Sequence, residues 1–280
     1  MKILRNTALL SMAGLFLVAS AADTYTIRRV FVKGESDTYD MASNSDNTID
    51  LSAFGQGSMP MKMEMSGKVG YTTKSIDEKG VATVEIKFSK MEMSMDGPMP
   101  PGEMPKEYTM TAKVDSQNRF KDVKLEGLPA MMRMTSEQSI KSMFSGFEFP
   151  EGAVKVGDTW EIKIPKDGKT FAKDQVAKAK LAASKVVDGK TILDIEVEGD
   201  LELEIDASKL GDGGNAPEGM PANMMIKGKI RNKSIVRVDA ANGKMVYMEA
   251  DSNSDMSVEM DMGKIPMSGT TKVIIKKAKS

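Results

Sequence analysis

From Thr191 the chain reads Thr191-Ile192-Leu193-Asp194-Ile195-Glu196-Val197-Glu198-Gly199-Asp200-Leu201-Glu202-Leu203-Glu204-Ile205. From Leu193 on, odd positions are apolar or Gly and even positions are acidic, the two-residue period of an extended strand with one dry face and one wet face. Just upstream, Asp188-Gly189 places Gly where a tight hairpin needs positive φ. The segment before that turn, Gln175 to Ser184, is rich in Ala and Lys and by composition alone suits a helix. The turn decides otherwise, because it joins Val176 to Val187 to the next strand as a hairpin.

The same pattern extends in both directions. Thr24 to Val32, Asp37 to Leu51, Met61 to Thr73, Val81 to Met95, Tyr108 to Val114 and Phe120 to Leu125 read as strands before the middle of the chain. Thr159 to Ile164, Met224 to Val238, Lys244 to Ser257 and a last strand up to Ile275 follow it. Asp77-Glu78-Lys79-Gly80 and Asn242-Gly243 supply further turns. One segment leaves the period: Ile140, Met143, Phe144 and Phe147 fall on one helical face, with Thr135 and Gln138 as a capping pair and Gly146 at the end. The expectation is an all-β, antiparallel, strongly twisted sheet or half-barrel of roughly ten to twelve strands with one short central helix. Its parts are a leader at 1–22, a β half at 23–134, a connecting helix and loop at 135–150, and a second β half at 151–280, the halves forming one continuous domain.

The two halves resemble each other. Lys113-Val114-Asp115-Ser116-Gln117-Asn118 parallels Arg237-Val238-Asp239-Ala240-Ala241-Asn242, and Val84-Glu85-Ile86 parallels Ile195-Glu196-Val197. Repeated blocks of this size imply two halves that extend one sheet or face each other. The turn Lys33-Gly34-Glu35, the Met61-Lys62-Met63-Glu64-Met65 strand, Ala82-Thr83-Val84 after its turn, Val123-Lys124-Leu125-Glu126-Gly127 and Val156-Gly157-Asp158-Thr159-Trp160 together resemble an uncharacterised family of exported bacterial β-proteins. The resemblance implies export and architecture, and carries over neither a catalytic residue nor a ligand.

The 280 residues are 40% hydrophobic and 28% charged, enough to bury a core. Met1 to Ala22 reads as a secretory signal, with basic Lys2 and Arg5, an apolar run from Ala8 to Ala19, and small residues at Ala19-Ser20-Ala21 for cleavage. That run is too short to span a hydrocarbon core of roughly 30 Å. The protein is therefore expected in the periplasm or outside the cell, with no transmembrane anchor after cleavage. Without Lys2 and Arg5, 39 basic residues fall to 37 against 40 acidic ones. A charge of about −3 argues against a nucleic-acid partner.

Composition also excludes chemistry. There is no Cys and no His, which removes thiolate catalysis, disulfides, Cys-ligated zinc, the commonest general base and the usual partner of a Ser nucleophile. No enzyme activity and no cofactor are expected. Asp251, Asn253 and Asp255 begin like a calcium loop, but Met256 and Met262 stand where Gly and Glu belong. Trp160 reads as a core or rim aromatic.

The unusual feature is 26 Met against 9 Phe, 5 Tyr and 1 Trp. Met59, Met61, Met63 and Met65 share a strand parity, as do Met91, Met93 and Met95, and Met256, Met260 and Met262. Core packing is the common use of an unbranched thioether. A second reading is a soft-metal site, Cu(I) or Ag(I), held by Met61, Met63, Met65, Met91, Met93 and Met95. Residues two apart on one strand stand about 7 Å from each other, so such a site needs sulfurs from neighbouring strands. A third reading is an adaptable concave face, covered by the central helix, that takes an apolar or lipid-like ligand against these methionines and Phe144. A fold analogy to periplasmic lipoprotein-carrier half-barrels accompanies that reading. The resulting expectation is an exported, non-enzymatic envelope protein that binds such a ligand, with metal handling or a purely structural, protein-contacting role as alternatives.

Overall fold

The computed structural model describes residues 23–96, 105–127, 147–166, 170–206, 223–261 and 263–278. The leader expected at 1–22 and the segment through residue 146 expected to form the central helix, with Phe144, lie outside the described residues, as do Met262 and most of the Gly- and Pro-rich loops. Described strands are β1 (Thr24–Tyr25), β2 (Ser36–Asp50), β3 (Ser58–Ile76), β4 (Ala82–Asp96), β5 (Glu107–Val114), β6 (Phe120–Glu126) and β7 (Val154–Lys155). They continue with β8 (Thr159–Ile164), β9 (Gln175–Val187), β10 (Lys190–Asp206), β11 (Met225–Asp239), β12 (Met245–Met260) and β13 (Gly263–Lys277). No helix among the described residues is long and apolar enough to cross a membrane.

Eleven strands form one antiparallel sheet in the order β6-β5-β4-β3-β2-β13-β12-β11-β10-β9-β8, and β1 and β7 make a separate two-stranded sheet. The large sheet does not close into a barrel, since β6 and β8 are its edges. Each half is a simple meander, and the two are joined by β2 against β13, with Met41 opposite Ile275. Both expectations from the opening stretch hold. In β10, Leu193, Ile195 and Val197 are buried. In β9, Ala177, Ala179 and Leu181 are buried between exposed Lys178 and Lys180.

One expectation fails. Thr24 to Val32 is not a strand of the main sheet; only Thr24–Tyr25 is extended pairing, with β7. Residues 26–32 instead form a strap across the ends of the two repeated turns. The reason lies in its backbone partners: Arg29 N–H donates to Ser116 O at 2.7 Å in the β5–β6 turn, and Val30 N–H donates to Asn242 O at 2.9 Å in the β11–β12 turn. These bonds satisfy the polar backbone without a neighbouring strand. The two turns are built alike, each folded around an Asp whose Oδ1 accepts the N–H two residues on, Gln117 to Asp115 and Ala241 to Asp239, both at 2.9 Å.

The strand residues of both core clusters stand on one face, here the inner face. One cluster gathers Leu193, Ile195, Val236 and Val238 of the second half with Ile27 of the strap, Phe147 and Phe149. The other gathers Val84, Ile86, Phe88, Met110 and Val114 of the first half with Tyr39 and Ile275. Met245 and Met248 touch both. A bulge with Lys90 at φ 53° inserts one residue in β4. It shifts the inward parity from Val84, Ile86 and Phe88 to Met91, Met93 and Met95, so the methionines stay on the core's face.

Candidate functional site: the inner face

The inner face changes character along the strands. At the strap end it carries the core. Farther along comes a belt of small polar residues, including Ser43 and Ser45 of β2, Asn232 of β11, Ser252 and Ser254 of β12 and Thr271 of β13. Register aligns them, and they bond across strands: Ser45 with Thr271 at 2.9 Å, Ser252 to Asn232 Oδ1 at 3.1 Å, Ser254 to Gly269 O at 3.3 Å. Beyond the belt, at the rim end, the face is apolar again.

The methionines of β3 and β4 begin level with the belt and run on to this rim, with Met65 opposite Ser43, Met63 opposite Ser45 and Met59 opposite Ile49. Met63 stands opposite Met95 and Met65 opposite Met93 across β3 and β4. Met61 pairs with Asn47 of β2, and Met256 of β12 pairs with Met267 of β13. Ile49, Val258, Ile265, Leu201 and Leu203 continue the surface by register. Met61, Met63, Met65, Met93 and Met95 are half-buried, whereas Met91 is 5% exposed and belongs to the core. Gly67 makes room for Met91: a Cβ there would lie 2.3 Å from its sulfur. The six methionines singled out from spacing are thus neighbours on two adjacent strands. Lys62, Glu64 and Glu92 point to the opposite, exposed face.

At the strap end lies a cavity of about 80 Å³. Its walls are Tyr39, Val69, Tyr71, Ile86, Met248 and Ile275 from the strands, with Met245, Phe120 and Phe147 beside them, and its polar residues are Arg29 and Asn118. Arg29 is 8% exposed. Its guanidinium carbon lies 4.9 Å from the centre of the Tyr71 ring and 5.9 Å from that of Phe31. Nη1 makes one long hydrogen bond, 3.4 Å, to Gly243 O. Arg29 Nε and the Tyr71 hydroxyl are buried without a hydrogen-bond partner. Burial pushes the Tyr71 phenol up to about 12, partly opposed by the Arg29 charge. Burial raises Tyr39 as well, again against Arg29, and its hydroxyl donates to Met245 O at 3.1 Å. Both phenols are therefore neutral donors at ordinary pH.

The other buried charges next to the strap are matched. Asp37 is desolvated, which raises its pKa, but Lys277 at 2.6 Å and Lys244 at 3.2 Å outweigh that and hold it below the ordinary carboxylate range. Lys244 also pairs with Glu35. Glu148, raised chiefly by burial, feels Arg119 and Asp115 of the β5–β6 turn and does not line the cavity. Among the described residues no group of three or more His, Cys, Asp or Glu is placed to hold a metal ion. Asp251, Asn253 and Asp255 lie exposed on the outer face of β12, in a strand and not a calcium loop. Trp160 packs against the second-half core and donates Nε1–H to Glu148 O at 2.7 Å.

The Arg29 and Tyr71 site escaped the sequence reading. Its signal is present, because Arg29 shares strand parity with Ile27 and Phe31, so a cation is aimed where two apolar side chains go.

No protein-family model matches this chain. No curated protein matches it either. Among solved structures, one of lipovitellin concerned with lipid-protein interactions aligns over 89% of this chain and 26% of its own, at 11% identity and a TM-score of 0.45. This chain thus spans about a quarter of lipovitellin's length. OccK7 (OpdD) of Pseudomonas aeruginosa aligns over 88% of this chain and 99% of its own, at 6% identity and a TM-score of 0.24. Likenesses of this size carry no functional argument.

Proposed function

We propose that the protein is an exported, non-enzymatic envelope protein that holds an apolar, lipid-like ligand against the methionine-rich rim of its inner face. The observation that carries this reading is the half-buried surface of Met61, Met63, Met65, Met93 and Met95, continued by aliphatic side chains of β10 to β13. Fully covering one such side chain contributes about 1.5–3 kcal/mol, and flexible thioethers adapt to chains of different shape. Among the described residues no carboxylate lines the cavity at the strap end. Native mass spectrometry of protein purified from its host, followed by titration with oleate, tests the proposal. Co-purified lipid, or oleate binding weakened at least tenfold by Met65→Glu with Met93→Glu, supports it. Absence of lipid and of any amphiphile binding refutes it.

The pairing of Met63 with Met95 and Met65 with Met93 favours a second reading, Cu(I) or Ag(I) binding, because it brings sulfurs from two strands together. Replacing those four methionines by Leu separates the readings. The apolar surface survives the change and lipid binding with it, whereas Cu(I) binding disappears.

A further inference from the structure

Arg29 is a charge without a counter-charge. Among the described residues around the strap, Lys244 and Lys277 pair with Glu35 and Asp37, Arg119 with Asp115 and Lys190 with Asp239, and none of these acids lies within 4.0 Å of Arg29. Arg29 is left with two ring faces and one 3.4 Å carbonyl. A desolvated guanidinium with unused N–H groups is costly unless an anion completes it. The Tyr71 hydroxyl beside it is a second buried donor with nothing to donate to. Asn118 and Tyr39, the other polar groups at the cavity, already donate to Phe147 O at 3.2 Å and Met245 O at 3.1 Å. Two orphaned donors in one apolar chamber describe the missing group: small, anionic and an acceptor only.

We propose that Arg29 and Tyr71 form the polar end of the ligand site, receiving the carboxylate of a fatty-acid-like amphiphile whose hydrocarbon chain runs along the inner face toward the methionines. This rests on the apolar-ligand reading above and deepens it. The cavity, about 80 Å³, has room for a handful of waters or a carboxylate, and not for a sugar or glycerophosphate headgroup. A guanidinium takes a carboxylate in a planar two-point fork, the strong form of charge-assisted hydrogen bond. The apolar walls disfavour a free hydrated ion, since they offer no replacement for its water. From Tyr71 to Met65 is six residues of β3, or about 20 Å of strand at 3.3–3.4 Å per residue. Along that path β3 presents Val69 and Gly67, and the Met91 side chain lies over Gly67, so the hydrocarbon runs against apolar side chains.

The test is equilibrium binding of oleate, oleyl alcohol and acetate to the purified protein, wild type and variants. Oleate is expected to bind at least tenfold more tightly than oleyl alcohol, with no measurable acetate binding. Arg29→Met should remove that preference while leaving oleyl alcohol affinity within about twofold, and Tyr71→Phe should reduce it severalfold. If Arg29→Met does not fold by circular dichroism, Arg29→Lys, which keeps the charge but loses the fork, should give an intermediate preference. Equal binding of oleate and oleyl alcohol by the wild type overturns the polar-end assignment yet leaves the apolar-ligand reading standing. Acetate binding that Arg29→Met abolishes overturns it in favour of a free-anion site. Failure of both long-chain probes to bind defeats the apolar-ligand reading itself.

Discussion

Gly243 is the position where one methyl group should do most damage. It sits in the β11–β12 turn at φ +63°, and a Cβ there would fall 2.4 Å from Arg28 O, 2.7 Å from Arg28 C and 2.9 Å from Arg29 N. Those are backbone atoms of the strap, so no side chain can rotate away. Gly189 provides the control, with a similar φ of +74° and nothing within 4 Å. Gly189→Ala therefore incurs only the left-handed conformation, about 1–2 kcal/mol. Gly243→Ala incurs that and must also lift the strap, giving up the Arg29 and Val30 backbone bonds at about 0.5–1.5 kcal/mol each. Part of the burial of Ile27 is lost too, out of the about 1.5–3 kcal/mol that full burial contributes. With about half of that burial lost, the total is about 3–6 kcal/mol. Urea unfolding followed by Trp160 fluorescence measures the loss, and limited trypsin digestion detects a freed Arg28-Arg29 bond. Equal losses for the two variants with no cleavage after Arg28 would refute the claim that the strap is clamped by this turn.

Asp37 sets an acid limb. Its native pKa lies below the ordinary carboxylate value, so the stability it contributes is present above about pH 4 and is lost as pH falls through its folded value. Asp37→Asn should cost about 2 kcal/mol at pH 7, and the gap from wild type should narrow below pH 4; a gap constant with pH contradicts the ion-pair account. Gln175 is buried, donating Nε2–H to Glu202 O at 2.9 Å and accepting from Glu202 N–H at 2.6 Å, so its side chain acts as a rung between β9 and β10. Gln175→Ala should destabilise by about 1–3 kcal/mol and speed amide exchange at Glu202, and unchanged exchange there would argue against the rung. Lys68→Ala serves as an exposed comparison: its pair with Asp40 at 3.0 Å leaves both side chains over 40% exposed, so denaturation should move by under about 1 kcal/mol.

The sheet was legible in the sequence because its evidence is local. Alternation in Leu193 to Ile205, the Asp188-Gly189 turn and the paired Asp115 and Asp239 turns each need only a few adjacent residues. The common face of Met61, Met63, Met65, Met91, Met93 and Met95 was legible for the same reason, although the Lys90 bulge that preserves it was not. The Thr24 to Val32 strap was misread as a strand. Its alternation is genuine, but the partners of its N–H groups are carbonyls of turns some 90 and 210 residues away. The Arg29 and Tyr71 chamber left only the parity of Arg29 with Ile27 and Phe31 in the sequence, because it forms only once the strap, β2, β3 and β12 are brought together.

The joining of β2 to β13 has a kinetic side. Every other neighbour pair in the large sheet is consecutive along the chain, so each half can zip up hairpin by hairpin. The seam instead brings Asn44 against Lys272, and a loop of that length closes late and slowly. Until it closes, β2 and β13, each 15 residues long, stand as unpaired edges that can capture another chain. The mature outer edges differ: β6 and β8 are short and carry Lys121, Lys124 and Lys163, which deters such pairing. Refolding yield should consequently fall with protein concentration at the stage when the two half-sheets have formed and the seam between them has not.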